Sequence, residues 1–312
     1  MRIFITGASG CIGHYVTEKL IQSSNHELFL LVRDPARLKF DFNARPNIHL
    51  LKGDLGRIEE YAELLGTIEI AILLATSWGG EEESYQININ KTLALLNYLD
   101  PSICQKVIYF STASILGQDN QPLAQAGELG TLYVRTKYLC YSRLNELAIA
   151  PKITTLFPTL VFGGDGNKPY SHISGGLPDI LKLINLIRYF KADGSFHFIH
   201  SEDIARIVNY LVDHPQEYGG KKIVLGNQSI TVDEAVEQIC QAIGKKIYFR
   251  IPLSLGLADF FIILFRLKME PWDRFCLDYR HFTYNPTTTP ATFGLENYAP
   301  TVKDLLETRG LC

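Results

Sequence analysis

The chain has 312 residues, with 30 Lys and Arg against 33 Asp and Glu, for a formal net charge of −3. That balance gives no electrostatic reason to expect nucleic acid as a partner. A hydrophobic fraction of 46% is that of a globular protein, and the length accommodates one large core or a nucleotide-binding unit with a smaller lobe.

In chain order, Arg2 to Thr6 reads as a short apolar strand, followed by a glycine-rich loop and a helix from about Gly13 to Ser23. Glu27 to Val32, Ile48 to Leu51 and Ile68 to Leu74 are further strands, the first closed by Asp34-Pro35 and the second by Gly53-Asp54. Ser84 to Leu99 has helical spacing, Lys106 to Phe110 returns to strand, and Tyr133 to about Ala150 is a helix that runs into Pro151. Lys152 to Phe157 is the sixth strand. Strands separated by helix-length segments mean right-handed βαβ units, hence an α/β fold with a doubly wound parallel sheet of the Rossmann type.

After Val161 the rhythm breaks. Gly163 to Gly176 reads as a long loop over the site, Ser201 to His214 as a helix capped by Ser201, and Ile223 to Leu225 as one more strand. Thr231 and Glu234 form a capping-box pair for a helix to Ile243, and Lys246 to Ile251 reads as a strand stopped by Pro252. The expected division is therefore 1–165 with about 195–230 as the dinucleotide-binding domain, and about 166–194 with 231–312 as a small C-terminal substrate lobe.

Leu253 to Phe265 reads LSLGLADFFIILF. It is too short to span a bilayer and is interrupted by Asp259, so a buried helix or subunit contact is expected, with a membrane-surface or lipophilic-substrate wall as the alternative. No transmembrane segment is expected. Met1 to Thr6 is already strand, so no cleaved leader is expected before it. Cys11, Cys104, Cys140, Cys240, Cys276 and Cys312 are scattered without a CxxC pair. They indicate neither a metal site nor a disulfide framework, and suit a reducing, cytoplasmic location as small buried hydrophobes.

The loop Thr6-Gly7-Ala8-Ser9-Gly10-Cys11-Ile12-Gly13 lies between a strand and a helix, where its three glycines have defined uses. Gly7 permits a tight turn, Gly10 lets the backbone approach a pyrophosphate, and Gly13 lets the helix pack on the sheet. The helix N-terminus then meets the phosphates. Arg33, at the end of the second strand, is a candidate clamp for a ribose 2′-phosphate, which favours NADP; Asp34 leaves NAD open. Asp54 follows the third strand, where its carboxylate can reach an adenine amino group.

Tyr133 and Lys137 are four apart on one helix face. An ammonium beside a phenol lowers its pKa and makes it a usable general acid–base, and the lysine can also hold ribose hydroxyls. The fifth strand ends at Ser111-Thr112-Ala113-Ser114, on the sheet edge where such folds bind ligands. A hydroxyl there can steady a developing oxyanion, and the residues themselves do not choose among Ser111, Thr112 and Ser114.

Together these motifs resemble the extended short-chain dehydrogenase/reductases of the NAD-dependent epimerase/dehydratase family. Thr6 to Gly13 is similar to that family's TGxxGxxG, Gly53-Asp54-Leu55 to its adenine-side turn, and Tyr133 to Lys137 to its YxxxK. Phe157 to Gly163 resembles its RPxxVYG, with Phe157 where arginine is usual, and Phe198 to Ala205 its FIHVDDVA. The resemblance implies a catalytic set of Thr112, Tyr133 and Lys137, and places Asn90 near the site. It implies a cofactor set of Gly7, Ser9, Gly10, Cys11, Ile12, Gly13, Arg33, Asp54, Leu55, Ala75, Tyr133, Lys137 and Pro158.

Ala113 and Ser114 stand where dehydratases have an acidic residue, which argues against dehydration. The expected function is an NAD(P)-dependent oxidoreductase passing hydride between the nicotinamide and a small-molecule carbonyl or alcohol. The alternatives are a sugar-nucleotide epimerase and a non-catalytic NADP-binding regulatory or assembly protein. Lys168, His172 and the nearby Arg188 are candidate contacts for a charged substrate. The resemblance also suggests a homodimer through the helices around Asn90 and Tyr138.

Overall fold

In the computed structural model, which describes residues 1–311, seven parallel strands form the central sheet. They are β1 (Arg2–Thr6), β2 (Glu27–Val32), β3 (Ile48–Lys52), β4 (Ile70–Leu73), β5 (Lys106–Phe110), β6 (Ile153–Pro158) and β7 (Lys222–Leu225), in the spatial order β3-β2-β1-β4-β5-β6-β7. The order reverses between β1 and β4, so both chain connections leave a crevice at the carboxyl ends of these two strands. The central strands are apolar on both faces because helices cover both: Ile3, Ile5, Ile70 and Ile72 pack on one side, and Phe4, Ala71, Leu73 and Val107 on the other.

Helix α1 (Cys11–Ser23) starts at the glycine loop, α2 (Thr92–Tyr98) lies before β5, and α3 (Leu132–Arg143) lies between β5 and β6. Then come α4 (His172–Ile187), α5 (Ser201–Asp213), α6 (Val232–Ala242), α7 (Leu255–Leu264) and α8 (Pro271–Tyr279). α5 packs beside α1 under the sheet, burying Ile204, Val208 and Leu211 against Val16 and Leu20. A separate apolar cluster joins α4 and α6 to the C-terminal residues Val302, Leu305 and Leu306, and forms the core of the additional lobe.

Several sequence expectations are corrected. The third helix ends at Arg143, seven residues short of Ala150, and breaks into short 3₁₀ turns before β6. The loop over the site is shorter than expected, because Ser171 accepts a hydrogen bond from the Ser174 amide at 3.0 Å and starts α4 there. α5 is capped by the His200 ring rather than by Ser201, whose hydroxyl donates to the Phe162 carbonyl at 3.0 Å. Lys246 to Arg250 is not strand; a short strand spans Ile251–Leu253 instead and pairs with Phe190–Ala192. The Thr231–Glu234 capping box is present. Cys104, Cys140 and Cys240 are buried free thiols, Cys11 and Cys276 are half-buried ones, and Cys312 lies outside the described residues.

Candidate active site

Two clefts of about 700 and 610 Å³ open at the crevice, and both reach the glycine loop between β1 and α1. The loop geometry depends on its glycines. Gly7 has φ +77°, and a Cβ there would lie 2.6 Å from the Ala75 backbone nitrogen; a Cβ on Gly13 would lie 2.1 Å from the Gly7 carbonyl oxygen. Gly10 caps α1 with no side-chain bond to the first-turn amides, which leaves them available to an anion.

The first cleft is lined by Gly7, Ser9, Gly10, Arg33, Asp54, Leu55 and Ala75. Asp54 accepts from the Gly56 amide at 2.6 Å, and this bond fixes the turn that carries Leu55. The second cleft is lined by Cys11, Ile12, Gly13, Thr112, Tyr133, Lys137 and Pro158. All the residues expected to hold the cofactor thus come to one trough on either side of the loop.

At the second cleft, β5 ends and Thr112 accepts from the Ser114 amide at 3.3 Å, capping a short 3₁₀ turn. Ser111, the neighbouring hydroxyl, is buried without a partner. Burial pushes the Tyr133 phenol up to about 12, while the Thr112 hydroxyl pulls the other way. The buried Lys137 ammonium donates to the Phe110 carbonyl at 2.8 Å and is lowered to about 8 by loss of solvent. Lys137 is not a cause of the Tyr133 shift. The expected depression of the phenol by the ammonium is therefore not present in this arrangement, because the phenol's desolvation dominates and the ammonium is held on a carbonyl.

A match to a family model covers residues 3–226 and is described as the NAD dependent epimerase/dehydratase family. The chain belongs to that family. The solved structure of gox2253 superposes with a TM-score of 0.70 at 18% identity, covering 99% of this chain and 98% of the other. WbmG of Bordetella bronchiseptica, solved with NAD, gives 0.67 at 13% identity over 100% and 95%. A UDP-glucuronic acid 4-epimerase from Bacillus cereus, also with NAD, gives 0.64 at 18% identity over 98% and 97%. No curated protein sequence matches.

The expected preference for NADP is overturned. The last two of these similar structures hold NAD, and so do further ones. The side chain on which the expectation rested is 69% exposed, and its guanidinium turns to Asp54, with Nε 3.8 Å from the carboxylate. Arg33 is thus a solvated rim charge with its own counter-ion. The residues present fit a dinucleotide: the glycine cradle cannot hold a Cβ, the α1 amides are uncapped, and the Ser111 hydroxyl is buried and unpaired in the second cleft.

Other expectations fail locally. Lys168 is bound to Glu18 at 2.8 Å and sits over the Tyr15 ring, and Arg188 donates to the Lys246 carbonyl, so neither offers charge to the cleft; His172 does line it. Asn90 is exposed and bonds only to Gln86. The asparagine bonded to residues that line the clefts is Asn88. It lies in a π-helical stretch, Gln86–Lys91, whose wider turn changes which side chains face the sheet. Its Oδ1 accepts from the Ser77 amide at 2.7 Å and from the Thr76 hydroxyl at 3.1 Å, and its Nδ2 donates to the Ser77 carbonyl and to Thr136. Trp78 was also missed. Anchored by that network, it stacks on Tyr133 with centroids 4.2 Å apart and planes 15° from parallel. The only sequence signal was its place just past β4, at the same sheet edge as Thr112.

Proposed function

We propose that this protein is an NAD-dependent sugar-nucleotide epimerase, which oxidises a secondary alcohol of its substrate and reduces the resulting ketone in place. The observation that carries the reading is the convergence of Thr112, Tyr133 and Lys137 at one cleft, with Ala113 and Ser114 in place of any carboxyl group beside Thr112. An acid for expelling a hydroxyl is missing there, while the groups that move one proton on and off an oxygen are present.

NAD, when bound through the glycine loop, supplies reversible hydride acceptance. As the phenolate, Tyr133 takes the proton of the substrate hydroxyl, and as the phenol so formed it returns that proton after the ketone has presented its other face. At a pKa of about 12 the phenol is neutral near pH 7, so it is poised as the acid. Its phenolate is reached when the phenol proton passes to solvent as Lys137 moves from the Phe110 carbonyl toward the ring oxygen, where the ammonium's positive charge favours the anion. Thr112 donates to the substrate oxygen and keeps it in line with Tyr133. Trp78 covers the outer face of the Tyr133 ring and limits water's access.

The test is incubation with a panel of UDP- and dTDP-sugars, followed by NMR of the sugar stereocentres. Inversion with no net change in NADH absorbance is the expected result. Stoichiometric NADH consumption without inversion would instead favour net carbonyl reduction. That second reading has its own observation: Lys137 is the only lysine or arginine lining the second cleft among the described residues, beside Trp78, Val161, Tyr170 and His172. A wall of that kind suits a substrate end without a diphosphate.

A further inference from the structure

We propose that the C-terminal lobe docks on an anionic lipid surface through α7 and the segments around it. α7 buries none of its residues. Ile263 is 76% exposed, and Phe260, Leu264, Phe265 and Leu267 are more than half exposed. This is not an isolated helix. Tyr189, just past α4, stacks on Phe249 at 4.9 Å, Phe190 meets Phe261 edge-on, and strand Phe190–Ala192 pairs with Ile251–Leu253. Leu183 and Leu186 of α4, the helix that leads into Tyr189, are also exposed, whereas its Leu177 and Ile184 are spent in the lobe's core. A contiguous exposed apolar surface of this extent marks a contact with another phase or molecule.

Charge selects the occupant. Residues 245–268 hold five basic side chains, Lys245, Lys246, Arg250, Arg266 and Lys268, against one acidic one, Asp259, in a chain whose net charge is −3; of the five, Arg250 is paired with Asp233 and Glu237, and Lys268 with Glu270. Asp259 is already paired with Arg274. Among the described residues, Lys245, Lys246 and Arg266 make no ion pair. A second copy meeting this face across a two-fold axis would bring the two basic sets together. Anionic headgroups would instead give Lys245, Lys246 and Arg266 partners while the apolar side chains enter the acyl boundary, with Tyr248 at headgroup level. No helix among the described residues is long and apolar enough to cross a membrane, so the contact is peripheral.

The experiment is co-sedimentation of the full chain with phosphatidylcholine vesicles with and without phosphatidylglycerol, at low and high salt. Binding that requires phosphatidylglycerol and weakens with salt is expected. The variant Phe260→Ser/Ile263→Ser/Phe265→Ser, altered only at exposed positions, is expected to partition at least about tenfold less while keeping the parent's Tm. Lys245→Glu/Lys246→Glu is expected to lose roughly fivefold per lysine, about 1 kcal/mol each. Failure of the parent to sediment with phosphatidylglycerol vesicles, or equal sedimentation of the serine variant, overturns the proposal. So does a dimer seen by light scattering that the serine variant disperses, which would assign the face to a second copy.

Discussion

Asn88→Ala is the substitution that most directly tests how the fold holds the site. The side chain is 2% exposed and makes four hydrogen bonds to three residues. Two of the partners recover without it. Thr76 is half-buried and can turn its hydroxyl to water, and Thr136 keeps its bond to the Tyr133 carbonyl at 3.0 Å. The other two are the amide and carbonyl of buried Ser77, which are left without Asn88. At about 1–3 kcal/mol for each stranded buried group, the expected loss is about 3 kcal/mol after partial relaxation. In a chain of this length that corresponds to a fall in Tm of about 5 °C. The functional consequence is larger than the stability loss suggests, because Ser77 precedes the residue that stacks on Tyr133. Loosening the Ser77–Trp78 turn exposes the phenol to water and lowers kcat roughly tenfold, about 1.4 kcal/mol, with NAD affinity changed much less. Differential scanning calorimetry, NAD titration and turnover on the same preparation measure all three. A variant with the parent's Tm and kcat would refute the reasoning, since it would mean that water or a shifted helix satisfies Ser77 as well as the asparagine does.

Tyr133→Phe removes only the hydroxyl and is expected to lower kcat by about 10²- to 10⁴-fold with little change in NAD binding, measured by turnover and calorimetry. Gly13→Ala places a methyl group where the Gly7 carbonyl stands, 2.1 Å away, and neither is at the end of a flexible side chain; NAD affinity should fall roughly a hundredfold, about 3 kcal/mol. Arg33→Ala removes an exposed, loosely paired charge and should change NAD affinity by less than about fivefold, again by calorimetry. For pH, the Lys137 ammonium is charged below about 8 and loses its proton as pH rises through that value. Its support of the phenolate is therefore lost on the alkaline side, and kcat should descend above pH 8; in Lys137→Arg, which stays charged, that limb should move upward.

How much of this was legible in the sequence follows from the range of the interactions involved. The parallel sheet and the cofactor trough are written in local signals: apolar runs of strand length, glycines in fixed phase, and hydroxyl, phenol and ammonium groups at strand ends and helix starts. Such signals need only the next few residues, so β1 to β6 and the positions of Gly7 and Lys137 could be read directly, whereas Thr112 was singled out from Ser111 and Ser114 only through the family resemblance. The errors share a different origin. Asn88 replaces Asn90 because a π-helical turn shifts the face of the helix, and nothing in the string QININK distinguishes one asparagine from the other. Arg33 suggested a phosphate clamp because its position is right, but its partner Asp54 comes from another strand and is 21 residues away in sequence. Lys168 looked available until α1 supplied Glu18 across the site.

The pKa logic fails in the same way. Spacing alone puts an ammonium near a phenol and predicts a lowered phenol. The folded environment removes solvent from both groups, so each is driven toward its neutral form: the tyrosine up to about 12, the lysine down to about 8. A protonated phenol beside an ammonium held on a carbonyl differs from a pre-ionised pair. That arrangement holds the proton on the phenol until substrate and cofactor bring polar groups into the cleft, and only then does loss of the phenol proton, with the anion stabilised by the Lys137 ammonium, become favourable. A site built this way has its general acid ready before substrate arrives and acquires its general base only on binding. Titration of Tyr133 in the NAD-bound protein, followed by ultraviolet difference absorbance against Tyr133→Phe, should therefore show a phenol pKa at least about one unit below that of the free protein, the equivalent of about 1.4 kcal/mol. An unchanged titration would mean that Lys137 stays on the Phe110 carbonyl and that the base is another group.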